Sequence, residues 1–133
     1  MKKRLFALIP ALAMVFLITS CSKDDTPAAT PVGTWVGNGQ YGTGAGSPAY
    51  AFTLTFNTNG TVNIVGNNST AIDNATGTWQ LVQDSVKATY TYTSSSATYT
   101  LSGKFSAASN IMAGTIGLSA ATSGVGLFSV TRQ

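Results

Sequence analysis

One thiol, four aspartates and five tyrosines are the side chains of this 133-residue chain best suited to chemistry beyond packing. The thiol is Cys21, the single cysteine, so it has no disulfide partner within the chain. A thiolate is a nucleophile and can take a covalent group. The chain has no histidine and no glutamate. Zinc-type ligand clusters, Cys–His nucleophiles and imidazole bases are thereby excluded. A two-carboxylate hydrolase would have to use Asp73 and Asp84, and nothing in their spacing brings them together. No Ser–Lys motif is evident. The composition points away from an enzyme and implies no cofactor. The phenols remain, each joining an apolar ring to a polar tip, which suits a wet-edged binding site.

The surroundings of Cys21 say what its thiol is for. Met1-Lys2-Lys3-Arg4 is basic, and Leu5 to Ile18 is an apolar run interrupted only by Pro10. The run is shorter than the roughly 20 residues of a membrane span. A short apolar stretch behind a basic start is the secretory-signal pattern. Its end, Ile18-Thr19-Ser20-Cys21, resembles the bacterial lipobox: aliphatic, small, small, Cys. The resemblance implies that Cys21 receives a diacylglyceryl group, becomes the N-terminus on cleavage and is acylated on its amine. Acyl chains contribute about 0.8 kcal/mol per buried CH₂, so three would anchor the protein permanently. Ser22-Lys23-Asp24-Asp25 resembles the charged export tag of Bacteroidetes-type surface lipoproteins, which implies an outer-membrane, surface-exposed location. The expected organisation is a signal peptide over 1–20, a lipidated Cys and extended tether over 21–32, and one domain over 33–133.

The formal net charge of +3 is carried by Lys2, Lys3 and Arg4, which leave with the signal peptide. The mature chain sets Lys23, Lys87, Lys104 and Arg132 against Asp24, Asp25, Asp73 and Asp84. Its side-chain charges cancel, so no basic patch is available for nucleic acid. The expected partners are the membrane, through the acyl chains, and a small apolar or amphipathic ligand.

The spacing predicts an all-β domain of eight strands, at 33–41, 49–56, 61–66, 76–82, 85–92, 97–105, 111–119 and 125–132. Several runs alternate. Tyr50, Phe52, Leu54 and Phe56 share a face opposite Ala51, Thr53 and Thr55. Val86, Ala88, Tyr90 and Tyr92 oppose Lys87, Thr89 and Thr91. One apolar and one polar face is the mark of an antiparallel sheet with a wet side. Short connections make sequence neighbours pair, with tight turns at 57–60 and 83–84. Closing an eight-stranded meander into an up-and-down barrel removes both exposed edges. A two-sheet sandwich is the alternative. Gly33-Thr34-Trp35 recurs as Gly77-Thr78-Trp79, which could mark a duplicated half-barrel or a preferred strand start.

Gly33-Thr34-Trp35 opens the first strand, where lipocalins carry a Gly-x-Trp motif, and Arg132 ends the last. The domain therefore resembles the small lipocalin-like lipoproteins of bacteria. The resemblance implies a closed barrel whose end is plugged by Trp35, with the basic Arg132 lying across it. Strand directions agree independently. In an eight-stranded meander Trp35, Phe56, Val62, Leu81, Val86, Phe105, Met112 and Arg132 fall at one end, the closed end. The longer loops and Tyr41, Tyr50, Tyr90, Tyr92 and Tyr99 fall at the other. A ligand is expected there, with Phe52 and Trp79 lining the next layer down. Gly37 and Gly39 are expected to leave space along the inner side of the first strand. The competing expectation is a barrel filled by its own side chains, acting as a protein-binding module or a structural surface protein. Asn67, Asn68, Asp73 and Asn74 read as a solvated loop, not a calcium site.

Overall fold

The computed structural model describes residues 29–68 and 72–133. The expected signal peptide, Cys21 and the first part of the tether lie outside them. The described chain contains eight strands: β1 (Gly33–Tyr41), β2 (Ala49–Phe56), β3 (Thr61–Gly66), β4 (Asn74–Val82), β5 (Ser85–Tyr92), β6 (Thr98–Ser106), β7 (Ile111–Leu118) and β8 (Gly124–Arg132). Each pairs antiparallel with its sequence neighbours, and β1 pairs with β8, so the sheet closes into a barrel in the order β1 to β8. The closing ladder runs from Trp35↔Arg132 to Tyr41↔Gly126. This rules out the sandwich.

The alternation in the sequence becomes an inside and an outside. Trp35, Phe52, Leu54, Phe56, Val62, Ile64, Val86, Leu101, Met112 and Val130 point inward and are fully buried. Threonines occupy much of the outer surface, in cross-strand register at Thr78↔Thr89 and Thr89↔Thr100. Such β-branched residues fit a half-buried pleated surface.

β4 begins at Asn74, two residues before the expected start. Asn74 and Ala75 pair with Val65 and Ile64 of β3, and Ala75 is buried. Asn reads as a loop residue because its side chain competes for backbone hydrogen bonds; here the neighbouring strand satisfies the backbone first. The other boundaries agree with expectation to within one residue.

The inward glycines do not leave space. A Cβ at Gly37 would strike the carbonyl of Ser129 and lie 2.8 Å from the Cα of Val130. A Cβ at Gly77 would meet the backbone of Thr89 and lie 2.6 Å from the Cα of Tyr90. At these points neighbouring backbones approach too closely for any side chain, and glycine bends let short strands coil into a narrow barrel. The room beside Gly39 is taken by the ring of Tyr50, whose Cε2 would lie 2.6 Å from a Cβ there.

The Gly-Thr-Trp echo is neither a duplication nor a strand start. Gly77 falls within β4, which runs opposite to β1, and duplicated half-barrels would match β1 to β5.

Candidate functional site

The closed end is a packed plug. Trp35 is fully buried, and its ring meets Phe105 edge-on at 5.7 Å. Its indole N–H donates to the carbonyl of Pro31 at 2.7 Å. The guanidinium of Arg132 lies over the indole, 5.4 Å from the ring centroid. It donates to the carbonyls of Thr30, at 2.9 Å, and Val32. The segment entering β1 is thus fastened beneath the barrel by one aromatic and one cation. The turn between β4 and β5 lies at the same end. There Lys104 and Asp84 pair at 3.3 Å on the surface, and the hydrogen bond from Lys104 holds the Asp84 carboxyl below the usual carboxylate range.

Trp79 belongs to this end and not to the layer beneath the tyrosines. Its indole N–H donates to the carbonyl of Asn57 in the β2–β3 turn at 3.0 Å. Its ring packs on Phe56 at 5.4 Å. Phe52 does lie one layer below the rim. It is fully buried, against Tyr50 at 5.6 Å and Phe128 at 6.2 Å. It supports the site from below without facing it.

Above Phe52 the barrel opens into a cup of about 270 Å³. The lower barrel is filled and the upper end is not, so each of the two expectations about the interior describes part of the molecule. All five tyrosines line the cup, together with Gln40, Asn67, Asp73, Ser94 and Ser95. Tyr41 and Tyr50 stack obliquely at 4.4 Å. Across the cup Tyr90, Tyr92 and Tyr99 form a triangle, with centroids 5.8, 6.0 and 5.5 Å apart. The tyrosines meet because β5 and β6 pair Tyr90↔Tyr99, while Tyr41 and Tyr50 flank the β1–β2 loop.

Burial, reinforced by the neighbouring phenols Tyr92, Tyr50 and Tyr99, pushes the Tyr90 hydroxyl well above the ordinary range. Burial does the same to Tyr50. Tyr92 is raised to about 12, by burial first and then by the charge of Asp73. These groups are neutral at physiological pH. Only the Tyr41 hydroxyl has a hydrogen-bond partner among the described residues, the side-chain amide of Asn67 at 3.3 Å. The others are left to whatever enters the cup. A phenol both donates and accepts, so the site can bind polar groups.

No protein-family model and no curated protein matches this chain.

Asn67 and Asp73 escape a reading of the sequence, where they look like solvated loop residues. The loop folds back. Gly66 donates its backbone N–H to the Asp73 carbonyl at 2.7 Å, and Asn67 donates its own to Ala51 at 2.8 Å. The one available signal is that Asp73 is the sole charge in any open-end loop.

Proposed function

We propose that the protein is a lipid-anchored surface protein, lipocalin-like and without enzymatic activity, that holds a small amphipathic ligand in its tyrosine-lined cup. The observation that carries this reading is the cup itself. Tyrosines converge above a filled barrel, and four of their hydroxyls have no partner among the described residues. A concave, largely aromatic surface with a few polar groups is the usual form of a small-molecule site. The lipid anchor rests on the basic start, the apolar run and Ile18-Thr19-Ser20-Cys21.

The two halves of the proposal fit together. Thr30, Pro31 and Val32 are fastened at the closed end, and Cys21 precedes them by a short run. A membrane anchor at Cys21 would hold the barrel closed end down, with the cup facing away from its own membrane. The ligand would then come from the surroundings.

Native mass spectrometry of the gently purified protein tests the ligand. An extra mass that disappears on denaturation is expected, and Tyr90→Ala should weaken its retention. A clean mass from every preparation would overturn the reading. Incorporation of labelled palmitate, abolished by Cys21→Ala, tests the anchor.

A second reading has one observation in its favour. Tyr41, Ile72 and Leu118, at the open end, are 56, 62 and 50% exposed. Exposed apolar side chains on a rim also suit a protein partner, which would then be bound across the mouth of the cup.

A further inference from the structure

The cup contains a single charged group among the described residues, the carboxylate of Asp73. The described cations are elsewhere. Arg132 and Lys104 lie at the closed end. Lys87 points outward from β5, between Gln80 and Ser102. Asp73 is also held in place. Its carboxylate accepts from the Asn67 amide at 3.2 Å, and its carbonyl accepts from Gly66. One hydrogen bond leaves most of a carboxylate's acceptor capacity unused.

The rest of the lining has the same polarity. Tyrosine rings present negative π-faces, and Tyr90, Tyr92 and Tyr99 turn different faces and edges toward one another. Their oxygens can accept hydrogen bonds. A cation over such rings is attracted by the ring quadrupole, most strongly when partly desolvated, and aromatic cages are how proteins hold quaternary ammonium groups. The charge of Asp73 already reaches Tyr92, whose ionisation it opposes. An anionic head could accept from the phenol hydroxyls but would be repelled by that carboxylate.

We infer that the ligand enters with a cationic head, an alkylammonium or quaternary ammonium group, held in the cup against the tyrosine rings that line it, beside Asp73. This rests on the proposed ligand-binding role of the cup. The cup's volume of about 270 Å³ is just under the roughly 300–1,000 Å³ of drug-sized sites. It admits the head and a short apolar segment, leaving any longer part in solvent.

Three probes with the same tail decide the matter: hexyltrimethylammonium, hexanoate and hexyl glucoside, each titrated into the purified protein while the tyrosine ring resonances are followed by NMR. The expected result is saturable binding of the ammonium probe, with shifts at the tyrosines that line the cup, and at least tenfold weaker binding of hexanoate. Asp73→Asn keeps the shape and should weaken the ammonium probe about tenfold. Tyr92→Phe should stay within about twofold, because the π-face remains, whereas Tyr92→Leu should not. If the glucoside or hexanoate binds at these tyrosines as tightly as the ammonium, or if Asp73→Asn changes nothing, the cationic assignment is wrong and the cup remains a ligand site. If none of the three shifts the tyrosine resonances, the assignment and the ligand-binding reading fail together.

Discussion

The guanidinium of Arg132 sits 5.4 Å from the ring centroid of Trp35, and the two residues are also register partners in the β1–β8 ladder that closes the barrel. The end of the chain and the start of the domain are therefore joined twice, by strand pairing and by a cation over an indole. Arg132→Ala should lower unfolding free energy by about 1–3 kcal/mol, from the cation–π contact and the hydrogen bonds to Thr30 and Val32. Arg132→Lys should recover only part of it, since an ammonium lacks the planar guanidinium that lies over the indole. Trp35→Ala should cost about 3–5 kcal/mol, as for other buried aromatics. Urea denaturation measures all three, and a neutral Trp35→Ala would show that the indole is not the plug.

Gly37→Ala should be more damaging than its single added methyl suggests. The new Cβ would collide with the Ser129 carbonyl and the Val130 Cα, which are backbone and cannot rotate away. β1 and β8 would have to separate at the seam of the barrel. Overpacking of this kind costs typically about 1–3 kcal/mol. Hydrogen exchange should show the loss concentrated in the β1–β8 ladder. Uniform protection with unchanged stability would mean that the close approach is not required.

Trp79→Ala separates the two ends of the molecule. Trp79 packs on Phe56 and bonds to Asn57, away from the cup. The variant should lose about 2–4 kcal/mol, as expected for a partly buried aromatic. The tyrosine ring resonances of the cup should not move. A change in those resonances comparable to that from Tyr99→Ala would place Trp79 functionally at the open end after all.

Much of this architecture is readable from the residues, for reasons that can be named. Alternation in Tyr50–Phe56 and Val86–Tyr92 states the inside and outside of the sheet. An even number of meandering strands then forces Trp35 and Arg132 to one end and the tyrosines to the other. What is not readable depends on distances between strands. Gly37 and Gly39 look like gaps because a missing side chain is visible in a sequence, whereas the backbone of Val130 and the ring of Tyr50 that fill the gaps are not. The sequence sets Trp79 beneath the tyrosines, whereas its indole reaches the β2–β3 turn to bond with Asn57, a contact that no strand pattern announces. Asp73 is not legible because a loop's fold-back depends on particular backbone hydrogen bonds, such as Gly66 to Asp73, that no periodicity announces.

The tyrosine cup should also govern the alkaline limit of the fold. An exposed phenol ionises near pH 10, but Tyr92 is held up to about 12 and Tyr50 and Tyr90 are also raised, chiefly by burial. Below about pH 10 these phenols are protonated in both folded and unfolded chains, and their contribution to stability is fully present. Above it the unfolded chain releases protons that the folded chain retains, so the native state binds more protons and stability falls as pH rises. The urea midpoint attributable to these groups should hold up to about pH 9 and then fall between about pH 10 and 12. Tyr90→Phe removes one group that resists ionisation, so the fall should become shallower, even if the variant starts at a different stability. Most of the phenolate absorbance from Tyr50, Tyr90 and Tyr92 should appear only at unfolding. Ionisation of Tyr50, Tyr90 and Tyr92 near pH 10 in a still-folded protein would mean that the cup is open to water down to Tyr90, and its walls would then lack the desolvation on which selective binding of a charged head depends.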